Sequence, residues 1–154
     1  MDVHIRVSHD DFDTAAEIAR YQRPGIGAVT AFVGLVRDFG DGDNVVALEL
    51  EHYPGMTESE LAAIIDDAGR RWPLDGVTVI HRVGRLELSE RIVLVVTASA
   101  HRRAAFEGCE FVMDWLKTRA PFWKREWGAD GQSRWVDAKD SDDSAAARWE
   151  DTPK

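Results

Sequence analysis

The sequence predicts a single α+β domain of mixed and antiparallel strands packed with about three helices. Strand-like and helix-like patterns occur in mixed order, two strong strand patterns are joined by a short link in the middle of the chain, and another pair flanks a glycine-containing turn near the end. Such hairpins pair antiparallel, which disfavours a doubly wound parallel sheet. The 154 residues suffice for one core burying roughly two thirds of the unfolded surface. Residues 1–139 are expected to form the domain, and 140–154 an acidic, alanine-rich tail with a short helix around Asp143 to Glu150.

Asp2 to Val7 alternates like a short strand, and Asp10 offers an N-cap to a helix from about Asp11 to Tyr21. Gly25 to Arg37 is apolar and partly β-branched, which predicts a buried strand. The segment Asp38 to Asn44 holds three Asp and two Gly; without the remote glutamate of a calcium loop it is expected to be a solvated turn. In Val45 to Tyr53, Leu48, Leu50 and His52 alternate with Glu49 and Glu51, predicting a half-exposed strand that Pro54-Gly55 ends. Thr57 to Glu60 matches a capping box, and Leu61, Ile64, Ile65, Ala68 and Trp72 follow at helical spacing up to Pro73. Val77 to Val83 and Arg91 to Ala98 form the central strand pair, linked by Gly84 to Glu90. Ser99 is placed to cap a helix from His101 to about Thr118, which Pro121 must terminate. Phe122 to Trp127 and Ser133 to Ala138 flank the turn of a terminal hairpin.

Charge and cysteine usage exclude several function classes. With 19 Lys+Arg against 28 Asp+Glu, a formal charge of -9, the chain lacks the basic face that nucleic-acid binding needs. Apolar runs are too short for a membrane span and Met1 to Arg20 lacks a signal-like core, so a cytoplasmic location is expected. Cys109 is the one cysteine, which excludes an intramolecular disulfide or a multi-cysteine metal site; its neighbours Ala105, Val112 and Leu116 at core spacing predict a buried thiol. His4, His9, His52 and His81 lack metal-ligand spacing with one another and are read as structural or surface residues, so neither metal nor cofactor is expected.

The chemistry is concentrated in Leu116-Lys117-Thr118-Arg119-Ala120-Pro121-Phe122-Trp123-Lys124-Arg125-Glu126. Four cations and no carboxylate lie between Lys117 and Arg125, which in an acidic chain marks an anion site. Helix termination delivers Lys117 in a last turn, and strand alternation sets Phe122, Lys124 and Glu126 on one face with Trp123, Arg125 and Trp127 on the other. A lysine near other cations and partly desolvated has a lowered pKa and can move protons. The alternative is a lysine that only favours a helix C-terminus and another that is solvated on a strand. His101 and Arg102 follow a strong strand at a helix start, where cations oppose the dipole unless an anion binds between them; pairing of Arg102 and Arg103 with acids such as Glu107 is the other reading. Arg37, at the end of the Gly34-containing strand, is a third candidate. No phosphate-binding glycine loop, serine elbow or dinucleotide fingerprint occurs.

Glu51-His52-Tyr53-Pro54-Gly55-Met56, Ser99-Ala100-His101-Arg102 and the Leu116 to Glu126 segment, in this order and spacing, closely resemble the large, catalytic subunit of molybdopterin synthase, with similarity from about Gly25 to Ala138. The resemblance implies an α+β fold with an α/β-hammerhead element and a sulfurtransferase of molybdenum cofactor biosynthesis. Such an enzyme converts cyclic pyranopterin monophosphate to molybdopterin, with sulfur from the C-terminal Gly-Gly thiocarboxylate of a small ubiquitin-like subunit. It also implies a homodimer at the centre of a heterotetramer. Carried onto this chain, it makes Lys117 and Lys124 catalytic, and places Leu35, Val36, Arg37, His101, Arg102, Arg125 and Glu126 with them around the substrate. Leu35 stands where the family often has lysine, and Lys139 where some relatives have an arginine that reaches the neighbouring subunit's pocket. A non-catalytic phosphometabolite-binding module that recruits a partner is the runner-up, and a Schiff-base lysine transferase is a third reading; neither accounts for the three motifs together.

Overall fold

The computed structural model describes residues 1–38, 44–136 and 140–150. In chain order the elements are β1 (Asp2–Ser8), α1 (Thr14–Ala19), β2 (Ala28–Leu35), β3 (Val45–His52), α2 (Met56–Arg71), β4 (Leu74–Arg82), β5 (Gly84–Glu87), β6 (Arg91–Ser99), α3 (Arg102–Arg119), β7 (Phe122–Gly128), β8 (Ser133–Val136) and α4 (Asp140–Ala147). One sheet has the order β1-β4-β6-β2 and the other β5-β3-β7-β8. Only β1 and β4 run parallel; the remaining pairs are antiparallel. The α+β class expected from the sequence holds, with four helices among the described residues.

β4 and β6 read as continuous apolar runs because both of their faces are covered. On one side α2 and α3 pack Leu61, Ile64, Ile65, Phe111, Val112 and Leu116 onto Val77, Val79, Val93 and Val95. On the other side Phe12 and Tyr21 cover Ile80, Leu94, Val96 and Ala98. Gly76 allows the Tyr21 ring to lie directly on the β4 backbone, where any Cβ would clash with that ring, and the Tyr21 hydroxyl bonds Thr78 Oγ1 at 2.7 Å. A third cluster, Val36, Leu48, Leu50 and Leu86, fills the second sheet.

Several local expectations are corrected. The first helix starts later than Asp11: Asp13 is its cap, the carboxylate accepting from Ala16 N at 3.1 Å, while Asp11 is held by Arg91 at 2.7 Å. Removing the Asp13 cap by Asp13→Ala is expected to cost about 1 kcal/mol in urea unfolding, and Asp10→Ala less than about 0.5 kcal/mol. Equal losses at both positions would contradict the cap assignment. β2 is an edge strand, paired only with β6 in its sheet, so Phe32 and Leu35 are exposed at 41% and 52% rather than buried. The Thr57 capping box does not form. Gly55 is the N-cap of α2 at φ 85, a left-handed conformation glycine tolerates, and Thr57 instead donates its hydroxyl to Tyr53 O at 2.8 Å.

At α3 the cap is His101, not Ser99, whose hydroxyl donates to Pro73 O at 2.8 Å. The Gly84 to Glu90 link contains β5, which leaves the β4–β6 hairpin to pair with β3 and ties the two sheets together. α4 begins at Asp140, earlier than the tail helix expected from the sequence. Most of the aspartate-rich turn, residues 39–43, lies outside the described residues, as do 137–139 and 151–154. Among the described residues no helix is long and apolar enough to cross a membrane.

Candidate active site

The register of the first sheet sorts the candidate residues into two groups. β4 runs to Arg82 beside the start of β6, with His81 opposite Val93, and β2 ends with Leu35 opposite Arg91. Arg37 therefore follows the sheet at the end where β4 finishes and β6 begins. α3 follows β6 back across the sheet, so its last turn, which carries Lys117 and Arg119, returns to that same end. Pro121 stops the helix, and β7 starts at once with Phe122 two residues before Lys124.

Both lysines bear on one buried side chain, His81, which is 3% exposed. Its Nδ1 lies 2.8 Å from Arg82 O, and because a carbonyl only accepts, that nitrogen carries the proton and Nε2 the lone pair. Burial pushes the imidazole down to about 3; the Arg82 carbonyl opposes this, and the charges of Lys117 and Lys124, then His52, push the same way as burial. His81 is thus uncharged at neutral pH. Its ring stacks on Phe122 with centroids 3.9 Å apart and planes at 19°. His52, in register with Phe122 across β3 and β7, tilts against the same ring at 6.3 Å. Sequence reasoning left His81 as a structural residue; its one signal was a His-Arg pair closing a doubly buried strand.

The remaining β7 residues follow the expected alternation. Glu126 is buried and accepts from Arg134 Nη2 at 3.1 Å, beside a cleft of about 380 Å³ at the β7–β8 turn. Neither lysine lines that cleft. On the opposite face Arg125 lies over Trp135 at 4.3 Å and Trp127 at 5.8 Å, engaged in cation–π contacts. Val36 packs in the core, its backbone N–H bonded to Glu90 O at 2.9 Å, while Leu35 and Arg37 are exposed beside it. Lys139 lies outside the described residues.

His101 and Arg102 are elsewhere. Arg102 opens α3 and Lys117 lies fifteen residues on, about 22 Å along the axis. The strand gives a similar measure: Ser99 lies six residues beyond Val93, about 20 Å. The chain therefore holds the lysines and Arg37 at one end of the sheet, and the exposed His101 and Arg102 at the other. Arg103 does pair with Glu107, at 2.8 Å, as one of the two sequence readings had it. Cys109 is buried, and burial pushes its thiol up to about 11, which leaves it protonated and a poor nucleophile at neutral pH. No group of three or more metal-ligating side chains occurs among the described residues.

Residues 7–119 match the family described as MoaE protein. A molybdopterin synthase catalytic subunit from Ralstonia nicotianae is 58% identical over 147 residues, covering 94% of this chain and 83% of the relative. One from Vibrio cholerae is 56% identical over 151 residues, covering 97% and 100%. Among solved structures, molybdopterin cofactor biosynthesis protein E from Burkholderia multivorans superposes with a TM-score of 0.81 at 53% identity, covering 97% of this chain and 98% of that one.

Proposed function

The chain belongs to the MoaE protein family, and on that premise we propose that it is the catalytic subunit of a molybdopterin synthase. It is a cytoplasmic sulfurtransferase that converts cyclic pyranopterin monophosphate to molybdopterin, taking the two dithiolene sulfurs one at a time from the C-terminal thiocarboxylates of two small ubiquitin-like subunits. The observation that carries the reading is the convergence of Lys117 and Lys124, delivered by a helix end and a strand start, on one buried neutral histidine. Two ammonium groups that act on one corner of the fold can supply exchangeable protons and positive charge to reacting atoms there.

In this mechanism the thiocarboxylate sulfur forms a C–S bond to the pterin side chain as a C–O bond of that carbon breaks. Water then cleaves the resulting thioester and returns the small subunit's tail as a carboxylate. Throughout, Lys117 and Lys124 move protons to and from the reacting atoms. Their charge stabilises the oxygen that is released as the cyclic phosphate opens. Arg37, at the same end of the sheet, holds the anionic substrate with them. The chain's single cysteine is a buried, protonated thiol, which supports a sulfur source outside this chain. The -9 charge favours a partner with a basic docking surface, which speeds encounter more than it tightens binding.

The phosphate-binding role of His101 and Arg102 requires a second copy. They lie about 22 Å from Lys117 along α3, and side chains on a helix lean towards its N-terminus, so Arg102 leans away from Lys117. In a two-fold dimer the same surface on both copies makes the contact, and each copy's His101 and Arg102 complete the other's lysine pocket. A homodimer core thus belongs to the reading.

The deciding assay mixes the purified protein with cyclic pyranopterin monophosphate and a thiocarboxylated small subunit, and detects dithiolene product by mass. Product is expected. Tight binding of both partners without product overturns the enzyme in favour of a phosphometabolite-binding module.

A further inference from the structure

His81 occupies the corner on which the lysine pair depends. Phe122 sits five residues after Lys117 and two before Lys124, where the chain turns from α3 into β7, and its N–H bonds Ala120 O at 2.9 Å. The face of Phe122 rests on His81. His81 itself cannot rotate freely, because its Nδ1–H is bonded to Arg82 O and its strand is laddered on both sides, opposite Val7 of β1 and Val93 of β6. Arg82 is equally fixed, donating to His9 O at 2.9 Å and Arg91 O at 3.0 Å.

We propose that His81 is a positioning residue: its oriented ring, locked to the Arg82 carbonyl and stacked on Phe122, sets the separation and aim of Lys117 and Lys124. An alkyl side chain would fill the slot without fixing a ring plane, and a phenyl ring would stack without the hydrogen bond that orients it. A cationic side chain would add a third positive charge within reach of both lysines. The imidazole avoids this because burial keeps it neutral, with Lys117 from α3, Lys124 from β7 and His52 from β3 acting in the same sense. Its register partners on β1 and β6 are both valines, so no carboxylate at those positions restores the proton.

The inference rests on the reading of the two lysines as proton-transfer groups, and its test separates the two. Lysine side chains are labelled with ¹³C at Cε, and Lys117 and Lys124 are titrated by NMR in the parent, His81→Leu and Phe122→Leu proteins. Single-turnover product formation is followed in parallel. Loss of the stack from either side is expected to shift the titration of at least one lysine by about half a pH unit or more. It is also expected to slow product formation roughly tenfold or more with little change in pterin affinity. The double variant should be about as slow as either single one, because both changes remove the same contact.

Unchanged lysine titrations with product formation within twofold of the parent would overturn the positioning role. Should His81→Leu fail to fold, Phe122→Leu, at a half-buried position on the other side of the stack, is judged by the same two criteria. If the titrations shift while product formation survives Lys117→Ala, the positioning stands and the proton-transfer reading falls.

Discussion

Lys117→Ala lowers single-turnover product formation by roughly two to four orders of magnitude while leaving the fold and small-subunit affinity near those of the parent. The expectation follows from where the residue sits. Lys117 lies in the last turn of α3, one residue after the buried Leu116 and four before the proline that ends the helix, so truncating it removes no core packing. Its part in stabilising the helix dipole is worth less than about 1 kcal/mol. A structural lysine at such a position would thus leave turnover almost intact. A lysine that shuttles protons at the reacting atoms would not. Lys124→Ala is expected to lose about as much, and the double variant little more than either, since groups acting on one transition state are not additive. The measurement is product formed in the first turnover at saturating thiocarboxylated partner, with partner affinity measured separately. A folded Lys117→Ala protein that binds the small subunit and reacts at the parental rate would remove the central assignment.

Much of this architecture was legible because it rests on strong local signals. The apolar, β-branched runs around Val79 and Val95 read as a strong antiparallel strand pair, and Pro121 had to stop α3 wherever the rest of the chain went. The alternation of β7 likewise followed from period two, and Glu126 and Arg125 do lie on opposite faces. What escaped were features decided by tertiary neighbours. β2 is as apolar as a buried strand but received no partner on its outer edge, so Phe32 and Leu35 face outward. Thr57 carries the capping-box pattern, yet Gly55 reaches a conformation that starts the helix without it. His81 gave only the weak signal of a His-Arg pair at a strand end, since its importance lies in the ring of Phe122, forty-one residues away in sequence. The three motifs pointed to one pocket, although α3 holds two of them at its opposite ends.

That separation has a consequence that a mixture of two inactive proteins can reveal. Arg102→Ala alone is expected to reduce product formation per substrate concentration by about a hundredfold, the worth of charge-assisted hydrogen bonds to a phosphate. Lys117→Ala alone is slower still. If each pocket is closed by the other copy, a dimer of one Lys117→Ala chain and one Arg102→Ala chain contains one pocket with both residues intact and one with neither. Random assembly makes half of the dimers mixed, so about a quarter of all pockets regain full function. Co-refolding the two variants in equal amounts should therefore restore about a quarter of the parental product formation. Simply mixing them without subunit exchange should restore none. Were the pocket built within one protomer, every pocket in every dimer would lack one of the two residues, and co-refolding would change nothing. An absence of recovery in mixed dimers shown to form would thus exclude the shared pocket. Recovery would assign Lys117 and Arg102 to opposite sides of the two-fold axis.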